Sequence, residues 1–277
     1  MLDEQRDTEA LHANRVGEAQ PDSRVLVDLN SGALAPVADE VVIEDLEVDG
    51  HIPPELGGTL VRNGPNPFAG RFEGGDMLSW WVGPAMLHGV SLREGRALAY
   101  RNRWIETSSW KQHHGIDIGD AAEAQHTINA NVAVVRHAGR TLALSEGGLP
   151  FEIASDLSTR SPVTYGGALP NGMTAHPKID PQTGELIYFR ADWRAPYLRY
   201  GVLDRDGQAS ASQVIELPAP AMMHDMAITQ HHSLLLDLNV GYDFSLLSRG
   251  QVMPLRWNEE KEASRIGVLP RHGGSIQ

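Results

Sequence analysis

Short β-type runs separated by turn residues make up the sequence from Val41 onward, and this alternation restricts the fold more than any other feature. We expect strands over residues 59–62, 97–107, 131–136, 141–145, 185–190, 197–203, 233–237 and 265–269. Turn residues that tolerate positive φ stand between several of these runs, at His137-Ala138-Gly139, Thr183-Gly184 and Asp206-Gly207. The 28 glycines and 17 prolines would interrupt most helices. The sequence therefore predicts an all-β fold.

Strands at this spacing fit a sandwich, a barrel or a propeller. The sequence has no crisp repeat such as a WD signature, so the spacing alone does not choose among the three. Residues 1–35 are polar and acidic without sustained periodicity, which favours a mobile N-terminal tail. We expect one folded domain over residues 36–277.

The absence of cysteine narrows the available chemistry. It excludes disulfides, thiolate nucleophiles and cysteine-based metal sites, so a metal would have to be bound by histidine or carboxylate. The formal net charge of −13 argues against nucleic-acid binding. No stretch approaches the ~18 apolar residues of a membrane helix, and the acidic start is unlike a signal peptide. We therefore expect a cytoplasmic protein.

Common catalytic signatures are missing from the sequence. It contains no GxSxG elbow, no GxxxxGK[ST] phosphate loop, no GxGxxG fingerprint and no HExxH pair. The glycine-rich run at residues 57–67 lacks the lysine of a phosphate loop and contains two prolines. A tight turn after a strand is the better interpretation of that run.

Three segments place an ionisable group at the edge of an apolar β run: LALSEGG with Glu146, MTAHPK with His176 and MMHDMAIT with His224. The two histidines are 224 − 176 = 48 residues apart, so they must come from different strands. Neutral imidazole is a good iron(II) ligand, and a ligating histidine usually donates its second N–H to a carboxylate. Glu146 is a candidate for that carboxylate. On these residues alone, structural histidines that bind no metal remain the alternative.

These segments and several others resemble the carotenoid cleavage oxygenase family, in its N-terminal half only. The similar stretches are GHIPPEL at residues 50–56, LVRNGPNP at 60–67, MLHG at 86–89, YRNRW at 100–104, NGMTAHPKIDP at 171–181, MMHDMAIT at 222–229 and SRIGVLPR at 264–271. They occur in family order. One departure is the pair Pro84-Ala85, where the family usually has Asp-Gly, which puts the turn there in doubt.

The resemblance implies a seven-bladed β-propeller, here incomplete, with about the first half of its blades in residues 36–277. It also implies iron(II) on the propeller axis, bound by four histidines, three of them backed by glutamates. On that pattern, His176 matches the first ligand, His224 the second, and Glu146 the glutamate that orients the second. The pairs His113-His114 and His231-His232, and also His272, match no ligand position.

The family's chemistry implies that O₂ cleaves a conjugated C=C bond of a carotenoid or apocarotenoid to give aldehydes or ketones. An apolar polyene also implies peripheral contact with a membrane from which it is collected. Stilbene-cleaving members carry a lysine before the orienting glutamate, whereas this chain has Ser145. We therefore favour a carotenoid or apocarotenoid, with cleavage of a stilbene-like phenylpropanoid as the alternative.

Two further hypotheses from other classes stay open. The chain would be inactive alone if it is a truncated fragment, because two ligands of four do not make the family's site. A metal-free propeller that serves as an interaction module is the other hypothesis. Metal binding by the protein distinguishes the interaction module from the enzyme.

Overall fold

Antiparallel strands account for nearly all the regular structure of the protein. The computed structural model describes residues 28–72, 80–120, 124–127, 129–248, 254–261 and 263–277. The strands are β1 (Val42–Glu44), β2 (Gly58–Pro65), β3 (Ala85–Arg93), β4 (Arg96–Trp104), β5 (Ala133–His137), β6 (Arg140–Leu144), β7 (Phe151–Ile153), β8 (Thr159–Pro162), β9 (Lys178–Ile179), β10 (Leu186–Ala191), β11 (Leu198–Leu203), β12 (Ala209–Ile215), β13 (Met226–Ile228), β14 (His232–Asp237), β15 (Val240–Tyr242), β16 (Leu255–Trp257) and β17 (Arg265–Pro270). The predicted all-β class is confirmed.

Helical segments are few and short in the described part of the chain. They are α1 (Ser108–His113), α2 (Ser245–Ser248) and two 3₁₀ turns at Gly32–Leu34 and Gln125–Thr127. None of these helices has the length and apolar character that crossing a membrane requires. The expected strand at residues 97–107 ends earlier, at Trp104, because Thr107 caps α1. Its Oγ1 accepts a hydrogen bond from the Trp110 N–H at 3.3 Å.

The strands form four successive antiparallel sheets, which we number I to IV. Sheet I has the order β1-β4-β3-β2, sheet II the order β5-β6-β7-β8, sheet III the order β12-β11-β10-β9, and sheet IV the order β13-β14-β17. The hairpin β15–β16 forms a separate two-stranded sheet. Sheets II and III are simple meanders, in which each strand pairs with the next one along the chain. The arrangement is propeller-like.

Alternating side chains of the middle strands fill the spaces between neighbouring sheets. In β10, Leu186 and Tyr188 pack into a cluster with residues of sheet II, whereas Ile187 and Phe189 pack with residues of sheet IV. In β6, Leu142 and Leu144 join the cluster with sheet III, and Ala143 joins the one with sheet I. Both faces of these strands are therefore buried, which explains their nearly continuous apolar sequences.

A buried ionic contact joins sheet III to the end of sheet IV. The guanidinium of Arg271, which is 4% exposed, pairs with the carboxylates of Asp180 and, at 3.4 Å, Glu185. The backbone oxygen of Arg271 accepts a hydrogen bond from the Tyr200 hydroxyl at 2.7 Å. His272 lies beside this contact, with Nε2 2.7 Å from Glu185 Oε1. These contacts fix the relative position of the two sheets that carry the histidines of the candidate site.

The turn before β3 is formed even though Pro84-Ala85 replaces the usual family pair. The Gly83 N–H donates to the Trp80 oxygen at 3.2 Å, and the Pro84 oxygen accepts from the Asn66 N–H at 2.6 Å. Ala85 is completely buried at the start of β3. A small side chain at position 85 therefore suits the packing there.

Most of the expected N-terminal tail, residues 1–27, lies outside the described residues. In the remaining part, Leu29 is buried and the side chain of Asn30 makes two hydrogen bonds with the backbone of Phe72, at 2.7 and 3.1 Å. Residues 28–30 therefore pack against the folded domain.

Candidate metal centre

His176 and His224 occupy the same position on two consecutive sheets. His176 stands two residues before β9 of sheet III, and His224 stands two residues before β13 of sheet IV. Their ring centroids lie 4.4 Å apart, with an angle of 68° between the ring planes. The fold therefore brings together two histidines that are distant in the sequence.

Glu146 completes this group from sheet II. It follows the end of β6 at Leu144, and its Oε1 lies 3.1 Å from His224 Nδ1 and 3.7 Å from His176 Nε2. One possible ligand atom from each of the three residues lies within 4.8 Å of the other two. The first distance is that of a close ion-pair contact, whereas the second is too long for a hydrogen bond.

Backbone contacts between neighbouring sheets hold the loop that carries Glu146. The Gly147 N–H donates to the Met173 oxygen at 2.9 Å, and the Met173 N–H donates to the Gly148 oxygen at 3.1 Å. The guanidinium of Arg190 binds the backbone oxygen of Gly147 from the other side. Gly147 has a φ of 71°, a conformation in which a side chain is disfavoured. The two glycines after Glu146 thus allow the backbone of this loop to lie close to the backbone of Met173.

Two further contacts join the segment of His176 to that of His224. The buried hydroxyl of Thr174 accepts from the His176 N–H at 3.1 Å and donates to the His224 oxygen at 3.3 Å. The ammonium of Lys178 lies 2.6 Å from Asp225 Oδ1. The sequence-based interpretation missed Thr174, Lys178 and Asp225. The signal that could have found them is their position, two residues on either side of His176 and next to His224.

Partial burial shapes the protonation of the group. Desolvation raises the pKa of Glu146 to about 7, and a hydrogen bond from the Ala175 backbone is the largest effect that opposes this rise. Desolvation is also the largest cause that lowers the pKa of His176, followed by the charge of His224. The environment therefore favours a neutral imidazole at His176, the form that binds a metal.

The donor atoms of this site fit a metal ion. The Nε2 atom of His176 is buried and has no hydrogen-bond partner among the described residues. When a neutral His224 donates its Nδ1–H to Glu146, its lone pair lies on Nε2. The group therefore offers two imidazole nitrogens with free lone pairs and a carboxylate that orients one ring.

The hydroxyl of Ser145 is engaged by another segment of the chain. It is 7% exposed, and its hydroxyl donates to the backbone oxygen of Asn129 at 2.8 Å. A Cβ on Gly148 would lie 2.7 Å from the same hydroxyl, so the space around it is filled. A longer side chain at position 145 would have to extend beyond the place of the Ser145 hydroxyl to reach a substrate.

The other histidines considered in the sequence lie in different surroundings. His113 stacks on Phe68 with 4.4 Å between ring centroids, and His114 stacks on Trp110 at 4.1 Å. His231 and His232 are exposed, at the start of β14, the central strand of sheet IV. Within the described ranges, none of these four joins a group of three possible metal ligands.

Comparisons with known proteins identify the family of the chain. Residues 34–277 match the family model described as retinal pigment epithelial membrane protein. The chain is 35% identical to a carotenoid cleavage oxygenase of Mycobacterium tuberculosis, over 88% of this chain and 57% of the relative. Among solved structures, it is similar to the lignostilbene dioxygenase of Pseudomonas brassicacearum, with 26% identity and a TM-score of 0.75 over 91% of this chain and 55% of that one.

A second solved structure, of cobalt-substituted Synechocystis ACO, an apocarotenoid oxygenase, shares 25% identity and a TM-score of 0.71 over 87% of this chain and 56% of that one. The chain thus spans about half the length of the relatives that it matches. The match to the family model nevertheless covers nearly all of the described residues. The chain belongs to the family of retinal pigment epithelial membrane protein and the carotenoid cleavage oxygenases.

Proposed function

We propose that this chain contributes to the iron(II) centre of a dioxygenase that cleaves a conjugated C=C bond of a carotenoid or apocarotenoid, within a seven-bladed propeller. The observation that carries the proposal is the group of His176, His224 and Glu146. The carboxylate lies beside Nδ1 of His224, and Nε2 of His176 is buried with no hydrogen-bond partner in the described part of the chain. Neutral imidazoles suit iron(II), and the family relationship supports oxygenase chemistry.

The residues of the chain have separate tasks in this proposal. His176 and His224 each present a nitrogen lone pair, and Glu146 holds the proton of His224 on Nδ1 so that Nε2 stays available. Iron(II) with open coordination positions, when bound, supplies the activation of O₂. The two oxygen atoms end in two carbonyl products, which accounts for both atoms of O₂.

The described residues bring together two histidines, whereas the family resemblance implies four. We therefore propose that cleavage requires two more histidine ligands and that this chain alone is inactive. A metal-free interaction module would need no histidine ligands. Metal binding that depends on His176 would contradict that alternative.

A stilbene-like phenylpropanoid is the second candidate substrate. The similarity to the lignostilbene dioxygenase of Pseudomonas brassicacearum favours it. Ser145 argues against it, because a hydroxyl that is buried on the Asn129 oxygen offers no cation to a phenol. We therefore keep the polyene as the preferred substrate class.

An exposed aromatic group near the site suits delivery of an apolar substrate. Trp193 and Phe244 are each 50% exposed and lie 5.7 Å apart, and Phe244 stacks on Tyr242. Asp192, which precedes Trp193, pairs with Arg190 at 3.0 Å, and Arg190 also binds the backbone oxygen of Gly147, the residue after Glu146. We propose that this group makes the peripheral membrane contact through which a polyene enters.

The test is a cleavage assay under ¹⁸O₂ with a protein that contains this chain together with the two further histidine ligands and is loaded with Fe²⁺. The substrates are an apocarotenoid and a hydroxystilbene. We expect two carbonyl products from the apocarotenoid, identified by mass with one ¹⁸O each, and no product from a His224→Ala variant. Products that form equally well in the variant, or without added iron, would contradict the proposal. A faster reaction with the stilbene would favour the second candidate.

A further inference from the structure

The ion pair between Lys178 and Asp225 lies beside the candidate metal centre and has no role in the function described so far. Lys178 Nζ is 2.6 Å from Asp225 Oδ1, and the same oxygen accepts a hydrogen bond from the Met226 N–H at 2.7 Å. This second bond fixes the orientation of the carboxylate. Lys178 follows His176 by two residues, and Asp225 is the residue after His224.

Thr174 makes the corresponding contact on the other side of His176. Its hydroxyl accepts from the His176 N–H and donates to the His224 backbone oxygen. The segment around His176 is therefore attached to the segment around His224 at two points, one before and one after the histidine. These contacts connect sheets III and IV where the two rings meet.

We propose that Lys178 and Asp225 are positioning residues, which set the separation of the His176 and His224 imidazoles so that both can bind one divalent cation. The inference rests on the proposed function of the two histidines as metal ligands. The side chain of Lys178 is 31% exposed and that of Asp225 is 49% exposed. Ion pairs with this exposure contribute little to global stability, so a role in holding geometry should appear in metal affinity and not in folding.

For the removal of Lys178, electrostatics alone predicts a change in cation affinity opposite to that of a positioning role. This variant therefore distinguishes the two explanations. Lys178 places a positive charge near the site, and its removal would by Coulomb attraction strengthen the binding of a cation. If Lys178 positions the ligands, its removal weakens binding instead. Lys178→Met keeps the length of the aliphatic chain and removes the charge, and Lys178→Arg keeps the charge.

The experiment measures the affinity of the 277-residue chain, fused to a solubility partner, for Co²⁺ by optical titration, together with its melting temperature. We expect Lys178→Met and Asp225→Asn to weaken Co²⁺ binding by about tenfold or more, the range typical of residues that orient metal ligands. We expect Lys178→Arg to retain most of the affinity. The double variant should lose no more than the weaker-binding single variant, because the two residues act as a unit.

Arg96→Met is the matched control, since it removes the exposed pair of Arg96 and Asp45, 3.1 Å apart on sheet I. It should leave Co²⁺ affinity unchanged. Unchanged or tighter binding by Lys178→Met would overturn the positioning role, as would a weakening that Lys178→Arg shares. If Lys178→Met does not fold, Lys178→Gln takes its place, because it also removes the positive charge, whereas weaker binding by Asp225→Asn would also follow from the lost negative charge.

The parent chain and His176→Ala separate this inference from the proposed function. If His176→Ala binds Co²⁺ as tightly as the parent, the metal site itself fails. If His176→Ala loses binding while Lys178→Met keeps it, only the positioning role fails.

Discussion

Glu146 Oε1, after β6 of sheet II, lies 3.1 Å from Nδ1 of His224, which precedes β13 of sheet IV. This contact assigns the two ring nitrogens different tasks, because a carboxylate on Nδ1 keeps the proton there and leaves the lone pair on Nε2. The same carboxylate oxygen is 3.7 Å from His176 Nε2, beyond hydrogen-bonding distance. The geometry thus favours Glu146 as an orienting group for His224.

The first prediction concerns the charge of Glu146. Glu146→Gln keeps the size of the side chain but removes the negative charge that lies 3.1 Å from His224 Nδ1. We expect the affinity for Co²⁺ to fall by about 10- to 100-fold in an optical titration, as for other groups that orient metal-binding histidines. Glu152→Gln, which removes a carboxylate that pairs with Arg160 at 2.9 Å on sheet II, is the control. An unchanged affinity in Glu146→Gln would contradict the orienting role.

The second prediction concerns substrate choice at position 145. Ser145→Lys, in a protein with the complete iron site, should shift the ratio of kcat/KM toward phenolic stilbenes. A partly desolvated charge-assisted bond to a phenolate is worth ~1.5–3 kcal/mol, or about 10- to 150-fold. Because the Ser145 side chain is buried against Asn129, the longer side chain must turn outward. Ser145→Met is the control for length, and equal ratios in the two variants would refute a role for the charge.

The third prediction concerns pH and His137, which lies at the end of β5. The side chain is 4% exposed, and burial lowers its pKa below the ordinary value of 6.5. The unfolded chain therefore binds more protons than the folded one just below that value. The stability that neutral His137 provides is complete above about pH 6.5 and is lost as the pH falls toward the lowered pKa.

His137→Phe removes this titration and should make the free energy of unfolding less dependent on pH. The measurement is urea unfolding of the parent and the variant at pH 7.5 and at pH 5. The parent should lose more stability on acidification than the variant does. Equal losses would show that His137 does not contribute to the acid sensitivity of the fold.

The fourth prediction tests the packing between sheets II and III. Gly201 of β11 pairs with Tyr188 of β10, and a Cβ at position 201 would overlap the Tyr188 ring. Gly201→Ala should therefore lower the free energy of unfolding by ~1–3 kcal/mol, measured in urea. Gly241→Ala is a matched control in β15, because its Cβ would meet only the Pro220 oxygen at 4.0 Å. Similar effects of the two substitutions would contradict the packing described here.

The strand content could be predicted where the sequence combines apolar runs with turn residues. The runs at 185–190 and 233–237 became β10 (Leu186–Ala191) and β14 (His232–Asp237), because β10 packs on both faces and β14 packs one face against sheet III. Strand β12 (Ala209–Ile215) was outside the predicted runs. It is a mostly exposed edge strand with the polar sequence ASASQVI, so the apolar pattern that reveals a buried strand is absent.

The grouping of the three candidate residues was predicted from the sequence, whereas the contacts that support them were not. His176, His224 and Glu146 stand at the edges of apolar runs, and the surrounding residues resemble a known family. The positions of Lys178 and Asp225 beside the two histidines could have drawn attention to them, but their pairing depends on how sheets III and IV pack. The hydrogen bond of the Ser145 hydroxyl could not be predicted either, because its acceptor, the backbone oxygen of Asn129, lies in another segment.

The most direct test of the central claim is an anomalous-difference map from crystals of the protein loaded with Co²⁺. We predict one peak within about 2.0–2.2 Å of Nε2 of both His176 and His224, taking metal–imidazole distances as for zinc. Glu146 should remain on Nδ1 of His224, outside the ligands of the metal. A peak bound directly by the Glu146 carboxylate, a peak that touches only one of the two histidines, or no peak at this position would contradict the account.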